Sequence, residues 1–326
     1  MYMLEVSNLV KKFNDLTAVN NISFNVKEGE IFGLLGPNGA GKTTTLNLIL
    51  GIIDQTSGKI TVNGMDNRKE GKKIKQIISL MTQETIVEPD LTARENLELF
   101  ARLYHLDPSI RESRIENALK EAELTEFADK RTGTFSGGMQ RRLALVKTLI
   151  HEPKLIILDE PTTGLDIQNR TKMWDHIRRL SKDKVTVLLT TQYLEEADAL
   201  CDRIAIIDHG KIIAMGTPSE LRSLLGGYVL EIIAKTEYVN KVAEVVKKSL
   251  GSTPNINVDK ITVGTSSDPL ETIEKVSEIL KKEKLPVMSI GVHLPTIDDI
   301  FLKLTGKDTR DKTGEMKSNR SFIIRR

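Results

Sequence analysis

The spacing of apolar positions changes several times along the chain, and each change predicts an element. Leu4 to Leu9 and Ile22 to Val26 are strand-like, and Ile31-Phe32-Gly33-Leu34-Leu35 is an unbroken apolar run that reads as a buried strand. The turn Lys27-Glu28-Gly29-Glu30 predicts a hairpin joining the last two. Thr44 to Leu50 then carries an apolar stripe at helical spacing, and Gly58 to Gly64 alternates like a strand with its turn. Ile77 to Gln83 is a further strand with a polar end. From Thr92 the period becomes helical. Thr92 and Glu95 form a capping-box pattern, and Leu97, Phe100, Ala101 and Tyr104 follow on one face. Asp107-Pro108 breaks this helix, and a second runs from Ile110 to Glu123 with Ile115, Ala118, Leu119 and Ala122 on one side. Residues 92–128 therefore read as a small helical insert. Leu143 to Ile150 is helical, whereas Leu155 to Glu160 and Val185 to Gln192 are buried strands with polar tips. Ile204 to Asp208 and Lys211 to Ala214 predict a hairpin through His209-Gly210.

Gly226-Gly227 marks a boundary. Beyond it the order is strand (Tyr228–Ala234), helix (Tyr238–Leu250), two short strands (Asn255–Val258, Lys260–Gly264), helix (Pro269–Lys282) and strand (Pro286–Val292). This β-α-β-β-α-β succession fits a small ferredoxin-like unit. A short helix at Pro295–Leu304 follows, and residues 307–326 are polar enough to be expected disordered. The predicted organisation is an α/β domain over 1–225 and an α+β unit over 226–306.

Composition narrows the function classes. The chain has 326 residues, 47 basic and 45 acidic, for a net charge of +2. That balance makes no case for nucleic-acid binding. One cysteine, Cys201, precludes an internal disulfide and fits a reducing compartment. No apolar run reaches the roughly 20 residues that span a bilayer, and Met1 to Glu5 lacks the basic and apolar regions of a signal peptide. The expectation is a cytoplasmic protein whose membrane work, if any, falls to another chain.

The chemistry centres on Gly36-Pro37-Asn38-Gly39-Ala40-Gly41-Lys42-Thr43, a G-x-x-x-x-G-K-[ST] sequence between a strand and a helix. Its glycines let the backbone approach a phosphate, and successive N–H groups then cradle anionic oxygens. The helix N-terminus adds partial positive charge, Lys42 a full cation, and the Thr43 hydroxyl a ligand for Mg²⁺. This is the phosphate-binding loop of P-loop NTPases. Asp159 and Glu160 end an apolar strand, where one acid can hold Mg²⁺ and the next can act as general base. Phe13 is either a base-stacking aromatic or an edge residue. Gln83 either serves the metal or the γ-phosphate or is ordinary loop chemistry. Ser136-Gly137-Gly138 at a helix start is either an anion-facing site or a serine cap with flexible glycines. The five histidines show no metal-ligand spacing.

Taken in order, the P-loop, Gln83, Phe135-Ser136-Gly137-Gly138-Met139, Leu155–Glu160, Gly164-Leu165-Asp166 and Gln192 resemble the ATP-binding cassette (ABC) family over residues 1 to about 225. With Pro295 to Gly306 included, the chain is similar to the daunorubicin-resistance (ABC-2 exporter) type of transporter ATPase subunit. The resemblance implies an ABC ATPase fold with an antiparallel β subdomain and roles residue by residue. Phe13 would stack on adenine. Gly36, Asn38, Gly39, Ala40, Gly41, Lys42, Thr43 and Thr44 would bind the triphosphate. Thr43, Gln83 and Asp159 would serve Mg²⁺, and Glu160 would be the base. Ser136, Gly137 and Gly138 would contact ATP held by a second subunit, a like copy or a paired ABC subunit, in a head-to-tail dimer, and Asp166 would couple the two sites. The insert and the 84–91 loop would meet separate integral membrane permease subunits on the inner face of the cell membrane. Two positions depart from the family pattern: Phe135 and Met139 flank the Ser-Gly-Gly centre in place of Leu and Gln, and Gln192 stands where histidine is usual. Glutamine can hydrogen-bond a phosphate but takes up no proton near neutral pH. The expected function is ATP hydrolysis powering an exporter. The alternatives are a soluble ABC ATPase outside transport and a low-turnover regulatory module.

Overall fold

The computed structural model describes residues 1–84, 87–225 and 227–305. It contains two compact units, Met1–Leu221 and a second beginning at Arg222. The expectation of disorder over 307–326 and Gly226 of the predicted boundary lie outside the described residues, as does part of the 84–91 loop.

The first unit opens with β1 (Tyr2–Phe13) and β2 (Leu16–Lys27), an antiparallel hairpin. Its turn is Asn14-Asp15, with Asn14 left-handed at φ 48°. This corrects the expected hairpin at Lys27–Glu30. β2 and β3 (Ile31–Leu35) lie in different sheets, because β3, buried at every position, pairs in parallel with two later strands. Phe13 is the last residue of β1. After α1 (Lys42–Ile49), β4 (Ser57–Val62) and β5 (Met65–Asp66) complete a four-stranded antiparallel sheet ordered β2-β1-β4-β5.

Next come α2 (Gly71–Ile77), β6 (Ile78–Met81), α3 (Ala93–Leu103), α4 (Pro108–Glu121) and α5 (Gly137–Leu149). The capping box forms as its residues require. Thr92 Oγ1 accepts from the Glu95 amide at 3.1 Å, and Glu95 Oε2 accepts from the Thr92 amide at 2.8 Å. Asp107 caps α4, with Pro108 at its first position. Ala93, Leu97, Ile115, Leu119, Leu143 and Val146 close a separate small core among α3, α4 and α5.

β7 (Leu155–Asp159), α6 (Ile167–Lys182), β8 (Thr186–Thr191), α7 (Leu194–Leu200), β9 (Arg203–Asp208) and β10 (Lys211–Gly216) finish the unit, and α8 (Pro218–Ser223) spans its boundary at Leu221. The second sheet runs β10-β9-β3-β8-β7-β6, and all its pairs are parallel except β9–β10. Parallel pairing puts the carboxyl ends of β3, β6, β7 and β8 along one edge. The loops leaving that edge are where α/β sheets bind ligands.

The second unit holds β11 (Tyr228–Ala234), α9 (Val239–Leu250), β12 (Asn255–Asn257), β13 (Lys260–Thr265), α10 (Pro269–Lys282), β14 (Val287–His293) and α11 (Ile297–Thr305). Its antiparallel sheet is ordered β12-β13-β11-β14. This is the strand order of two interleaved βαβ units, as the ferredoxin-like reading expects. Leu230, Ile232, Val242, Val246, Val263 and Val276 form its core.

Candidate functional site

Four segments leave one edge of the parallel sheet. They are the P-loop after β3, residues 82–83 after β6, Glu160 after β7 and Gln192 after β8. The P-loop adopts the backbone its glycines permit. Gly39 has φ 81° and Gly41, which caps α1, φ 107°; a Cβ on Gly41 would come within 2.6 Å of the Ala18 carbonyl. Gly36 has no such room either, since a Cβ there would collide with the Ile207 carbonyl.

Lys42 is buried with its ammonium turned into the loop. Nζ donates to the Gly36 carbonyl at 2.7 Å and the Pro37 carbonyl at 3.3 Å, and stands 3.9 Å from Glu160 Oε1. Burial pulls its pKa below the ordinary lysine value, against the opposing pull of Glu160 and Asp159. An anionic ligand entering the loop gives this cation a further partner.

Asp159 and Glu160 are fixed differently. Asp159 Oδ1 accepts from the Thr190 hydroxyl on β8. Glu160 is left-handed at φ 49°, a conformation that costs an L-residue about 1–2 kcal/mol. Its amide donates to the Thr190 carbonyl at 3.0 Å, and its Oε2 accepts from Thr163 Oγ1 at 3.2 Å.

A cleft of about 470 Å³ gathers these groups. Its walls include Phe13, Pro37, Asn38, Gly39, Gly41 to Thr44, Gln83 and Glu160. Of the residues expected to touch nucleotide, it thus brings Phe13, Gln83 and Glu160 against the P-loop. Gly36 and Ala40 shape the loop without lining the cleft, and Ala40 accepts from the Gly210 amide at 2.9 Å. Asp159, Gln192, Ser136, Gly137, Gly138 and Asp166 are not among its walls. Thr17, Ala18 and His209 are, and nothing in their local sequence marked them.

The Ser136 segment is built as a helix start. Ser136 caps α5, its Oγ accepting from the Met139 amide at 3.3 Å, and Ser136 and Gly137 are exposed. A Cβ on Gly138 would lie 2.6 Å from Asn169 Oδ1. Asn169 in turn binds Asp166 through its amide at 2.8 Å and its side chain at 2.7 Å. Hydrogen bonds from Asn169 hold the exposed Asp166 carboxyl below its usual range. Asp166 thus caps α6 beside the start of α5.

Arg141 is the residue sequence reasoning passed over. It is 2% exposed, and its guanidinium reaches main-chain carbonyls of two loops, at 82–83 and at 160–161. Its position, three and four residues before the buried Ala144 and Leu145, was the available signal.

Similarity to known proteins follows the same lines. A family model described as "ABC transporter" matches residues 19–163. A daunorubicin resistance ATP-binding protein of Streptomyces coeruleorubidus is 38% identical over 312 residues, covering 95% of this chain and 97% of that protein. The chain belongs to the ABC transporter family. A linearmycin resistance ATP-binding protein of Bacillus subtilis (strain 168) is also 38% identical, over 95% of this chain and all 100% of its own length. Among solved structures, a dimeric ATP-binding cassette bound to ADP and Pi in a post-hydrolysis state superposes with a TM-score of 0.60. It is 30% identical, covering 66% of this chain and 98% of its own. ABC cassettes bind and hydrolyse ATP, and they work as dimers with transporter subunits. The chain is an ABC ATPase, and the 470 Å³ cleft lies where its P-loop meets Glu160.

Proposed function

We propose that the chain is the ATPase subunit of a membrane exporter, acting as a head-to-tail homodimer or with a paired ABC subunit. The observation that carries the site assignment is the cleft that gathers Phe13, the P-loop, Gln83 and Glu160 around Lys42. Phe13 stacks on adenine. The amides of 36–44 and the Lys42 ammonium bind the triphosphate. Thr43 and Gln83 line the cleft, and Asp159 sits at the tip of β7 beside it. This is the sparse oxygen set suited to Mg²⁺, which keeps several waters and takes phosphate oxygens. Among the described residues no cluster of three His, Cys, Asp or Glu offers a metal cage. When bound, Mg²⁺ neutralises charge on the leaving phosphates.

Glu160 orients a water and accepts its proton as the oxygen attacks the γ-phosphorus and the bond to the bridging oxygen breaks, giving ADP and phosphate. Gln192 hydrogen-bonds the γ-phosphate as a neutral partner. Ser136, Gly137 and Gly138 close over the nucleotide of a second copy, and Asp166 couples the two sites. Exposed Leu99, Leu103 and Ile110 on the helical insert, with the 84–91 loop, give the permease its docking face on the inner side of the membrane. No described helix is long and apolar enough to cross the membrane itself. The names of the relatives, resistance to daunorubicin and linearmycin, support export of small natural products as the task. Residues 1–225 carry catalysis, and 226–306 aid dimer or permease assembly.

Co-purification with a polytopic membrane protein from the same cells, joined to an ATPase assay, tests the reading. The complex is expected to hydrolyse ATP, and Glu160→Gln within it to lose that activity. A wild-type rate in Glu160→Gln would remove Glu160 from the mechanism. Failure to recover any membrane subunit would remove the exporter.

A further inference from the structure

Arg141 ties together parts of the site that lie far apart in sequence. Its Nε donates to the Pro161 carbonyl at 2.6 Å and its Nη2 to the Glu160 carbonyl at 2.6 Å. Its Nη1 donates to Gln83 at 2.8 Å and to Thr82 at 3.2 Å, again at carbonyls. These four acceptors belong to the main chain, so what Arg141 fixes is the path of two loops. One leaves β6 and carries Gln83. The other leaves β7 and carries Glu160. Glu160 is therefore held from both sides, its amide by Thr190 and its carbonyl by Arg141, in the left-handed conformation it would otherwise leave.

The arginine itself belongs to α5, about one turn after Gly137 and Gly138. A helix segment of that length moves as a unit. Any displacement of its N-terminus is carried to a guanidinium 2% exposed, with little water at hand to replace broken bonds. Asn169 adds a second tie at the same helix start, since Arg142 Nη1 reaches its Oδ1 at 3.5 Å while the Asn169 amide donates to the capping Asp166 carboxylate.

We propose that Arg141 is a positioning residue that reports the state of Ser136–Gly138 to Glu160 and Gln83 of the same chain. Nucleotide held by a second copy would thereby set the base geometry of the first site, making hydrolysis cooperative. The proposal rests on the shared-site reading above. A planar fork is required for it. Lysine keeps the charge but presents a compact ammonium that cannot bridge carbonyls on both loops.

The test is Arg141→Lys in the full-length protein, assayed for kcat, KM, ATP affinity, Hill coefficient and melting temperature. ATP affinity is expected near wild type, and the melting temperature to fall with the lost hydrogen bonds while the chain still folds. Displacing the base should lower kcat by about 10- to 100-fold. The Hill coefficient should fall from above one in the wild type towards one. Arg141→Gln should do the same more severely. Wild-type kcat and cooperativity in Arg141→Lys would overturn the proposal, and so would a non-cooperative wild type. Loss of ATP binding together with early melting would also overturn it, because Arg141 would then be a strut of the fold. Gly137→Asp, run alongside, separates the two ideas. If it leaves rate and cooperativity untouched, the shared site fails. If it abolishes hydrolysis while Arg141→Lys behaves as wild type, only the role of Arg141 fails.

Discussion

The P-loop and the Ser136 helix start, proposed above as the two ends of a shared ATP site, are built on opposite plans. At the P-loop end, Lys42 is buried against two carbonyls and a carboxylate, and Glu160 is strained and bonded on all sides. At the Ser136 end, a capped helix start carries exposed, small residues. The first end is pre-organised to receive the phosphates of a nucleotide bound by the same chain. The second offers N–H groups and open space, which suits a ligand brought by another molecule. On the function proposed above, a protein arranged this way would bind ATP alone and hydrolyse it only when paired.

The strongest way to break this contrast is at the base. Glu160→Gln keeps the shape of the side chain and its contact with Thr163, and should cost about 10²–10⁴-fold in kcat while leaving ATP binding in place. A phosphate-release assay beside nucleotide titration reads both. Gly137→Asp puts a negative charge at the exposed helix start. It is expected to cut hydrolysis at least about tenfold with monomer affinity for ATP unchanged. An equal loss of monomer affinity would mean that the two ends do not divide their tasks. Phe13→Ala removes a stacking surface worth about 1–3 kcal/mol, so ATP affinity should fall by about 5- to 150-fold with kcat at saturation preserved.

The smallest effect concerns the helical core under α3, away from both ends. Burial pulls Lys147 down to about 8, with its Nζ 4.2 Å above the Phe100 ring. Its folded pKa lies below the unfolded value of 10.5, so the unfolded chain binds more protons between these limits. Stability should therefore rise as pH climbs from about 8 towards 10.5. Chemical unfolding across that range should show the slope in the wild type and lose it in Lys147→Met.

Local features of this chain were readable from sequence, and distant ones were not. The P-loop declares itself because strand, glycines and helix are contiguous, and the capping box at Thr92 because its two members are three residues apart. The β1–β2 hairpin escaped notice because bulges interrupt its register at several points, which spoils the alternation that marks a strand. α6 was missed because its buried face is only Met173, His176 and Ile177, with Ile167 left 79% exposed. Arg141 was invisible for a different reason. Its partners, at 82–83 and 160–161, are brought to it only by the sheet order.

The left-handed backbone at Glu160 carries an evolutionary corollary. Asparagine and glycine hold that conformation at lower cost than glutamate. A lineage that no longer needed hydrolysis would gain stability by placing either one there, and the exchange would be hard to reverse once the surrounding bonds relaxed. If Glu160 is the base proposed above, its replacement in a relative would mark a cassette that binds nucleotide without consuming it.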